Sequence, residues 1–371
     1  MREPRSVLRK DLEGLEPYGA PQIDVPVLLN TNENPYPPSP ALVRAVADGV
    51  AAVAGTLNRY PDRDAVDLRK DLAAYLNEQS LGHGLTGEQV WAANGSNEVI
   101  QQLLQAFGGP GRRALGFEPS YSMHPLIAQV TCTDWVSVER DADFSVSAER
   151  AMSAVTQAQP SLVFLTSPNN PTGTAMPLDV ISSVCSVAPG IVVVDEAYAE
   201  FARAGTPSAL ALLPQYPGLV VTRTMSKAFA MAGARVGYLA ASAEVIEQLL
   251  VVRLPYHLSA VTQAVARAAL EHAAEPLATV ALLRSSRDEL VDWLRGRGLA
   301  VADSDANFVL FGEFSDRRAV WQGLLDRGVL VREVGPPRWL RVTVGTPSEM
   351  AAFRSALEST LAGLTQEEVR G

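Results

Sequence analysis

Cysteine is nearly missing from this chain of 371 residues. Cys132 and Cys185 are the only two, too few for a disulfide framework and without the C-x-x-C pair of a structural zinc site. Long apolar runs are missing as well. No stretch approaches the ~18 uninterrupted apolar residues of a membrane span, and residues 1–20 alternate charges with single apolar positions and carry no signal-peptide core. Positive charge is in deficit: Lys+Arg 31 against Asp+Glu 41 leaves −10, without the electrostatic footprint of generic nucleic-acid binding. A G-x-S-x-G nucleophile elbow does not occur, nor does a G-x-x-x-x-G-K-[ST] phosphate loop. The four histidines, His83, His124, His257 and His272, are scattered without metal-ligand spacing. The expectation is a cytoplasmic enzyme with no metal, no membrane partner and no nucleic-acid partner.

What remains is ordinary globular material: 47% hydrophobic and 19% charged residues argue against disorder. The length points to two domains or three. Lysine is the scarcest charge. Only Lys10, Lys70 and Lys227 occur, and every other basic residue is arginine. Arginine keeps its proton, whereas a lysine amine can lose it and act as a nucleophile. Lys10 and Lys70 stand in charged surroundings. Lys227, in TMSKAFAMAGARVGY, is flanked by small and apolar residues with no acid nearby; a lysine snorkelling from a helix end would also fit.

Along the chain, SLVFLTSP (161–168), IVVVDEAY (191–198), LVVTRT (219–224) and VGYLAA (236–241) read as buried strands. PLDVISSVCSVA (177–188) is long enough for a crossover helix, so the pattern predicts a mostly parallel α/β sheet with covered faces. Chemistry in such sheets gathers at the carboxyl ends of the strands, which here read SPNNPTG, DEAY and RTMSK. From about 280 onward a long helix, strand, helix, strand order predicts a smaller α+β domain.

Three motifs carry chemistry. In AANGSNEVIQQLLQAF (92–107), Gly95, Ser96 and Asn97 precede a helical apolar pattern, so free N–H groups of a first turn can bind a phosphate. Ser and Asn are equally common structural caps. Asp195 ends an apolar strand, where it is either a helix N-cap or the partner of a cationic heterocycle nitrogen. Asn170 and Tyr198, from neighbouring strand ends, can both reach one aromatic hydroxyl. Arg235, past Gly233, is a phosphate clamp or a sheet-surface charge. A lysine for an aldehyde, an acid for a pyridine nitrogen, hydroxyl-binding Asn and Tyr, and a phosphate cradle together are the set that pyridoxal 5′-phosphate needs.

The chain also resembles the fold-type I pyridoxal-phosphate aminotransferases, and within them the histidinol-phosphate branch. The resemblance rests on LEPYGAP (15–21), NTNENPYPP (30–38), NRYPDRDAVDLR (58–69), NGSNE (94–98), SPNNPTG (167–173), VDEAYAEF (194–201), RTMSKAFAMAGARVGY (223–238), YHLS (256–259), ANFVLF (306–311) and LRVTVGT (340–346). It implies an α/β fold-type I architecture: an N-terminal arm over 1–40, a large cofactor-binding domain over 41–270 with a mostly parallel central sheet wrapped by helices, and a small α+β C-terminal domain over 271–371. Lys227 would be the Schiff-base lysine and proton carrier, Asp195 the partner of the ring nitrogen, and Asn170 with Tyr198 the partners of the ring hydroxyl. Tyr121 would stack on the ring. Ser96, Asn97, Thr224, Ser226 and Arg235 would hold the phosphate, joined by Tyr60 from the other subunit of a homodimer. Arg341 would grip the substrate anion, with Arg332, Tyr18 and, more weakly, Tyr256 assisting.

The implied reaction is ping-pong transfer of an amino group from L-glutamate to imidazole-acetol phosphate, giving histidinol phosphate and 2-oxoglutarate in histidine biosynthesis. An aromatic aminotransferase acting on phenylalanine and a threonine-phosphate decarboxylase use the same scaffold. A non-catalytic cofactor-binding regulator would need a DNA-binding module, for which residues 1–30 are too short.

Overall fold

The structure, a computed structural model, describes residues 7–79 and 84–364; His83 lies outside them. A short β1 (Val27–Leu28) precedes a seven-stranded sheet of β2 (Val90–Ala93), β3 (Arg113–Glu118), β4 (Asp134–Glu139), β5 (Leu162–Thr166), β6 (Ile191–Asp195), β7 (Leu219–Thr224) and β8 (Gly237–Ala240). Their spatial order is β2-β8-β7-β6-β5-β3-β4, with β8 alone reversed against its neighbours. The four expected strands are thus β5 to β8. Beyond Thr166 and Asp195 the chain leaves the sheet, so SPNNPTG and EAY become loops at the strands' carboxyl ends. The expected crossover helix spans Leu178–Val187, between β5 and β6.

Alternation along the strands sorts the core into two layers. Val163, Leu165, Val192, Val194 and Val221 join one apolar cluster, and Leu162, Phe164, Ile191, Val193 and Val220 the other. Both faces being covered explains why these strands read as unbroken apolar runs. The second layer is built by helices Ser96–Phe107, Met123–Val130 and Ala243–Val252. By the same period of two, Asp195 points to the layer carrying Met123–Val130, and Glu196 points to the opposite one. There Glu196 and Glu200 hold the buried Arg223 at 2.7 and 3.1 Å.

The reversal of β8 matters for the site. Parallel neighbours need a crossover, but antiparallel β7 and β8 can be joined by a short loop. That loop, 225–236, carries Ser226, Lys227 and Arg235.

The C-terminal part holds the long helix Ala274–Gly296, then β9 (Ala300–Val301), β10 (Phe308–Gly312), β11 (Val329–Leu330) and β12 (Trp339–Thr343). β10 sits between β9 and β12, antiparallel to both, while β11 pairs in parallel with β1. The segment VLVREV (329–334) is a strand for two residues only. Past it, Arg332 and Arg341 form a single bridge, each N–H donating to the other's carbonyl at 2.9 Å. Residues near the N-terminus return to this part: Leu29 N–H donates to the Leu330 carbonyl at 2.8 Å, and Thr343 N–H to the Leu29 carbonyl at 2.9 Å. Among the described residues no helix is long and apolar enough to cross a membrane, and no His, Cys, Asp and Glu cluster could hold a metal ion.

Candidate active site

The carboxyl ends of β5, β6 and β7, the loop after β7, the first turn of Ser96–Phe107, segment 30–33 and the Arg332–Arg341 bridge enclose a cavity of about 280 Å³. Of the residues expected at the site, Tyr18, Ser96, Asn97, Tyr121, Asn170, Asp195, Tyr198, Thr224, Ser226, Lys227, Arg235, Arg332 and Arg341 all line it. Tyr60 and Tyr256 do not. They lie elsewhere on the surface and stack on one another with ring centroids 4.3 Å apart, Tyr60 being 79% exposed.

Asp195 is 2% exposed at the cavity floor. Its Oδ1 accepts from Thr222 Oγ1 and from Ala197 N–H, both at 3.2 Å, and its Oδ2 lies 3.1 Å from His124 Nε2. His124 is buried, stacked on Phe164 and edge-on to Tyr121. Asp195 caps no helix through its side chain; it is a buried carboxylate held by three partners and facing a cavity. His124 is one of four histidines without metal-ligand spacing, though its neighbourhood in the sequence allows it to face the site; strand alternation turns Asp195 toward it.

Asn170 and Tyr198 both line the cavity. Asn170 Oδ1 accepts from Arg341 Nη1 at 2.6 Å, which leaves its amide N–H groups free to donate. The Tyr198 hydroxyl accepts from Asn32 Nδ2 at 3.0 Å, so its own proton is also free. Burial pushes that phenol up to about 12, which keeps the proton in place at neutral pH. Two free donors lining one cavity suit an oxyanion or hydroxyl. Asn32 is itself set by Thr343, which donates to its Oδ1 at 3.0 Å, and by Asn307, which donates to its carbonyl at 3.1 Å. Its role lay in the NTNENP string, where the residues alone disclosed no partner.

Lys227 donates to the Thr31 carbonyl at 3.0 Å. Burial, and secondarily the Arg341 cation, lower its amine to about 8, with Glu33 acting in the opposite sense. About a tenth of the amine is therefore neutral and nucleophilic at pH 7, far more than for a lysine at its free value of 10.5.

The anion cradle is built by close packing. Gly95 (φ +85°) is the N-cap of Ser96–Phe107 and offers no side chain to close the first turn. A Cβ there would stand 2.4 Å from Arg235 Nη2. Arg235 Nη1 lies 3.4 Å from Ser226 Oγ, which accepts from Thr224 Oγ1 at 3.0 Å. Open N–H groups, two hydroxyls and a guanidinium thus share one point. Across the cavity, Arg341 is 5% exposed; its Nη2 donates to the Asn30 carbonyl at 2.8 Å, and its Nε has no partner. Arg332 donates to the Gly19 carbonyl at 2.9 Å and leaves Nη1 unpartnered. Among the described residues none of Arg235, Arg332 and Arg341 meets a carboxylate within 4.0 Å. In a chain of net charge −10, this cavity collects cations. It has two separate sites for anions, a carboxylate for a cation, two donors for an oxygen, and an amine between them.

Comparison with known proteins gives the chain's family and fold. Residues 25–357 match the family model for aminotransferase class I and II. A histidinol-phosphate aminotransferase of Thermobifida fusca (strain YX) is 67% identical over 350 residues, 94% of either chain. Another, from Frankia casuarinae, is 62% identical over 360 residues, 96% of this chain and 90% of the relative. Among solved structures, that of histidinol-phosphate aminotransferase from Sinorhizobium meliloti in complex with pyridoxal-5′-phosphate superimposes with a TM-score of 0.83 at 24% identity, over 92% of both chains.

Proposed function

This chain belongs to the class I and II aminotransferases and, within them, to the histidinol-phosphate aminotransferase family, and from that premise we infer that it transfers an amino group from L-glutamate to imidazole-acetol phosphate with pyridoxal 5′-phosphate as cofactor. The observation that carries the reading is the cavity's pair of separated anion sites with one partly neutral lysine between them. The first site suits the cofactor's phosphate, and the second suits the anionic end of a substrate.

The residues present fit the cofactor. Gly95, Ser96, Asn97, Thr224, Ser226 and Arg235 would hold its phosphate, where a side chain at Gly95 would fill the cradle. Asp195 would hold a proton on the ring nitrogen, and His124 and Thr222 would keep that carboxylate oriented. Asn170 and Tyr198 would donate to the ring oxygen, and Tyr121 would cover the ring. When bound, pyridoxal phosphate supplies an aldehyde and an electron-poor ring that takes up the electrons of a breaking Cα–H bond. Lys227 would bind the aldehyde carbon and, once freed, carry the proton from the substrate's Cα. A lowered amine suits that task, because a base works best with its pKa near the working pH. Arg341 and Arg332 would bind the substrate phosphate, with Tyr18 over the opening.

The enzyme works by a ping-pong route in the cytoplasm as a homodimer. Residues 1–40 serve as an arm, 41–270 as the large domain and 271–371 as the small one. Tyr60 reaches the cofactor phosphate of the other subunit, and Tyr256, stacked on it, approaches that subunit's substrate. An exposed tyrosine pair that does not line its own chain's cavity supports this reading. The test compares half-reactions of the purified enzyme with histidinol phosphate, phenylalanine and threonine phosphate. Fast, selective turnover of histidinol phosphate is expected. Equal turnover of phenylalanine would favour the aromatic aminotransferase, and release of CO2 from threonine phosphate the lyase.

A further inference from the structure

Two carboxylates line the cavity, Asp195 and Glu33. Asp195 is taken up by Thr222, Ala197 and His124. Glu33 is exposed at the wall; its Oε2 accepts from Thr31 Oγ1 at 2.8 Å, and among the described residues no cation pairs with it. This is unexpected in a cavity that also holds Lys227, Arg235, Arg332 and Arg341, because a lone surface acid among four cations would ordinarily turn to one of them. Its backbone leaves little freedom to do so. Asn32 N–H donates to Thr343 Oγ1 at 3.0 Å, and Asn307 Nδ2 donates to the Asn32 carbonyl at 3.1 Å and lies 3.5 Å from that of Glu33.

The order of contacts along this segment is informative. The Asn30 carbonyl receives Arg341, the Thr31 carbonyl receives Lys227, and Glu33 follows. A substrate whose Cα lies at the Lys227 amine and whose phosphate lies at Arg341 must send its third arm elsewhere. In histidinol phosphate that arm ends in an imidazole, which always has at least one N–H to donate and has two when protonated. We propose that Glu33 is the carboxylate that recognises the imidazole ring of the substrate, a specificity-determining contact made from the segment that also orders Lys227 and Arg341. The inference rests on the substrate reading above. It also supplies discrimination. A phenyl ring has no N–H to give, and a site built around a hydrogen bond rejects the analogue that lacks it. Glutamate, the other substrate of the same cavity, carries no N–H on that arm and gains nothing from Glu33.

The cofactor-loaded wild type, Glu33→Gln and Glu33→Ala are compared in the two half-reactions taken separately. Loss of a charge-assisted bond at an open wall predicts that KM for histidinol phosphate rises about ten-fold with little change in kcat. KM for glutamate should stay nearly unchanged, since glutamate has no N–H on that arm for Glu33 to accept. Calorimetric binding of 3-(imidazol-4-yl)propyl phosphate, which cannot react, should weaken about as much as KM rises. An unaltered KM for histidinol phosphate, or equal losses with both substrates, would overturn the role of Glu33 while leaving the aminotransferase reading intact. A wild type without preference for histidinol phosphate over phenylalanine would overturn that reading, and this inference with it.

Discussion

Replacing Arg341 by alanine should disturb two measurable quantities at once. The guanidinium is buried, donates to Asn170 at 2.6 Å and to the Asn30 carbonyl at 2.8 Å, and keeps an unpartnered Nε. If its free valence binds the substrate anion, each charged hydrogen bond removed is worth about 1.5–3 kcal/mol. At roughly 1.4 kcal/mol per factor of ten, that is a ten- to hundred-fold rise in KM for histidinol phosphate. The cavity is open to water, so the abandoned Asn170 and Asn30 oxygens are rehydrated and the fold should survive. The second quantity is the Lys227 amine, lowered to about 8 first by burial and then by the Arg341 cation. A neighbouring cation disfavours the ammonium form, so removing it favours that form. The amine must therefore titrate above about 8, though below its free value of 10.5 because the burial remains. Single-turnover kinetics read the first effect. For the second, the cofactor-free protein is acylated as a function of pH and each lysine is followed by mass spectrometry, with Lys10 and Lys70 as internal references. A KM changed by less than about three-fold, together with an unmoved Lys227 profile, would remove Arg341 from both roles.

Asp195→Asn should fold normally yet lose at least about two orders of magnitude in turnover, the scale of one well-placed electrostatic partner; near-normal rates would reduce Asp195 to a structural residue. Gly95→Ala drives a Cβ to 2.4 Å from Arg235 Nη2 at a positive φ. Equilibrium dialysis should then show cofactor affinity weakened about ten-fold or more, the scale of one charge-assisted hydrogen bond between Arg235 and the phosphate. Undiminished affinity would mean that the phosphate sits elsewhere. Mixing inactive Lys227→Ala with inactive Tyr60→Phe should restore part of the activity through hybrid dimers, whereas a fully active monomer by light scattering contradicts shared sites.

Strand ends were legible because their signal is local. Four apolar residues before Asp195, a lone lysine among small residues after β7, and NPTG after β5 each declare themselves within a dozen positions. A parallel sheet then carries those ends to one edge whatever the intervening helices contain. The reversal of β8 was not legible, since an apolar strand of four residues reads alike in either direction. Nor was the partner of VLVREV, which pairs mainly with the N-terminal β1 and not along its full length with β12.

By itself, then, the sequence determined which residues are chemically equipped: the amine, the acid, the two oxygen-binding side chains and the glycine-opened helix start. Tertiary structure decided how each is tuned and which way its remaining valence points. Thr343 and Asn307 set Asn32, Asn32 frees the Tyr198 proton, and Arg341 frees the amide of Asn170. Strand parity sends Asp195 to His124 and Glu196 to Arg223. These contacts join residues as far as 311 positions apart. No window along the chain holds both partners, because hydrogen-bond direction and burial belong to the assembled pair and not to either residue.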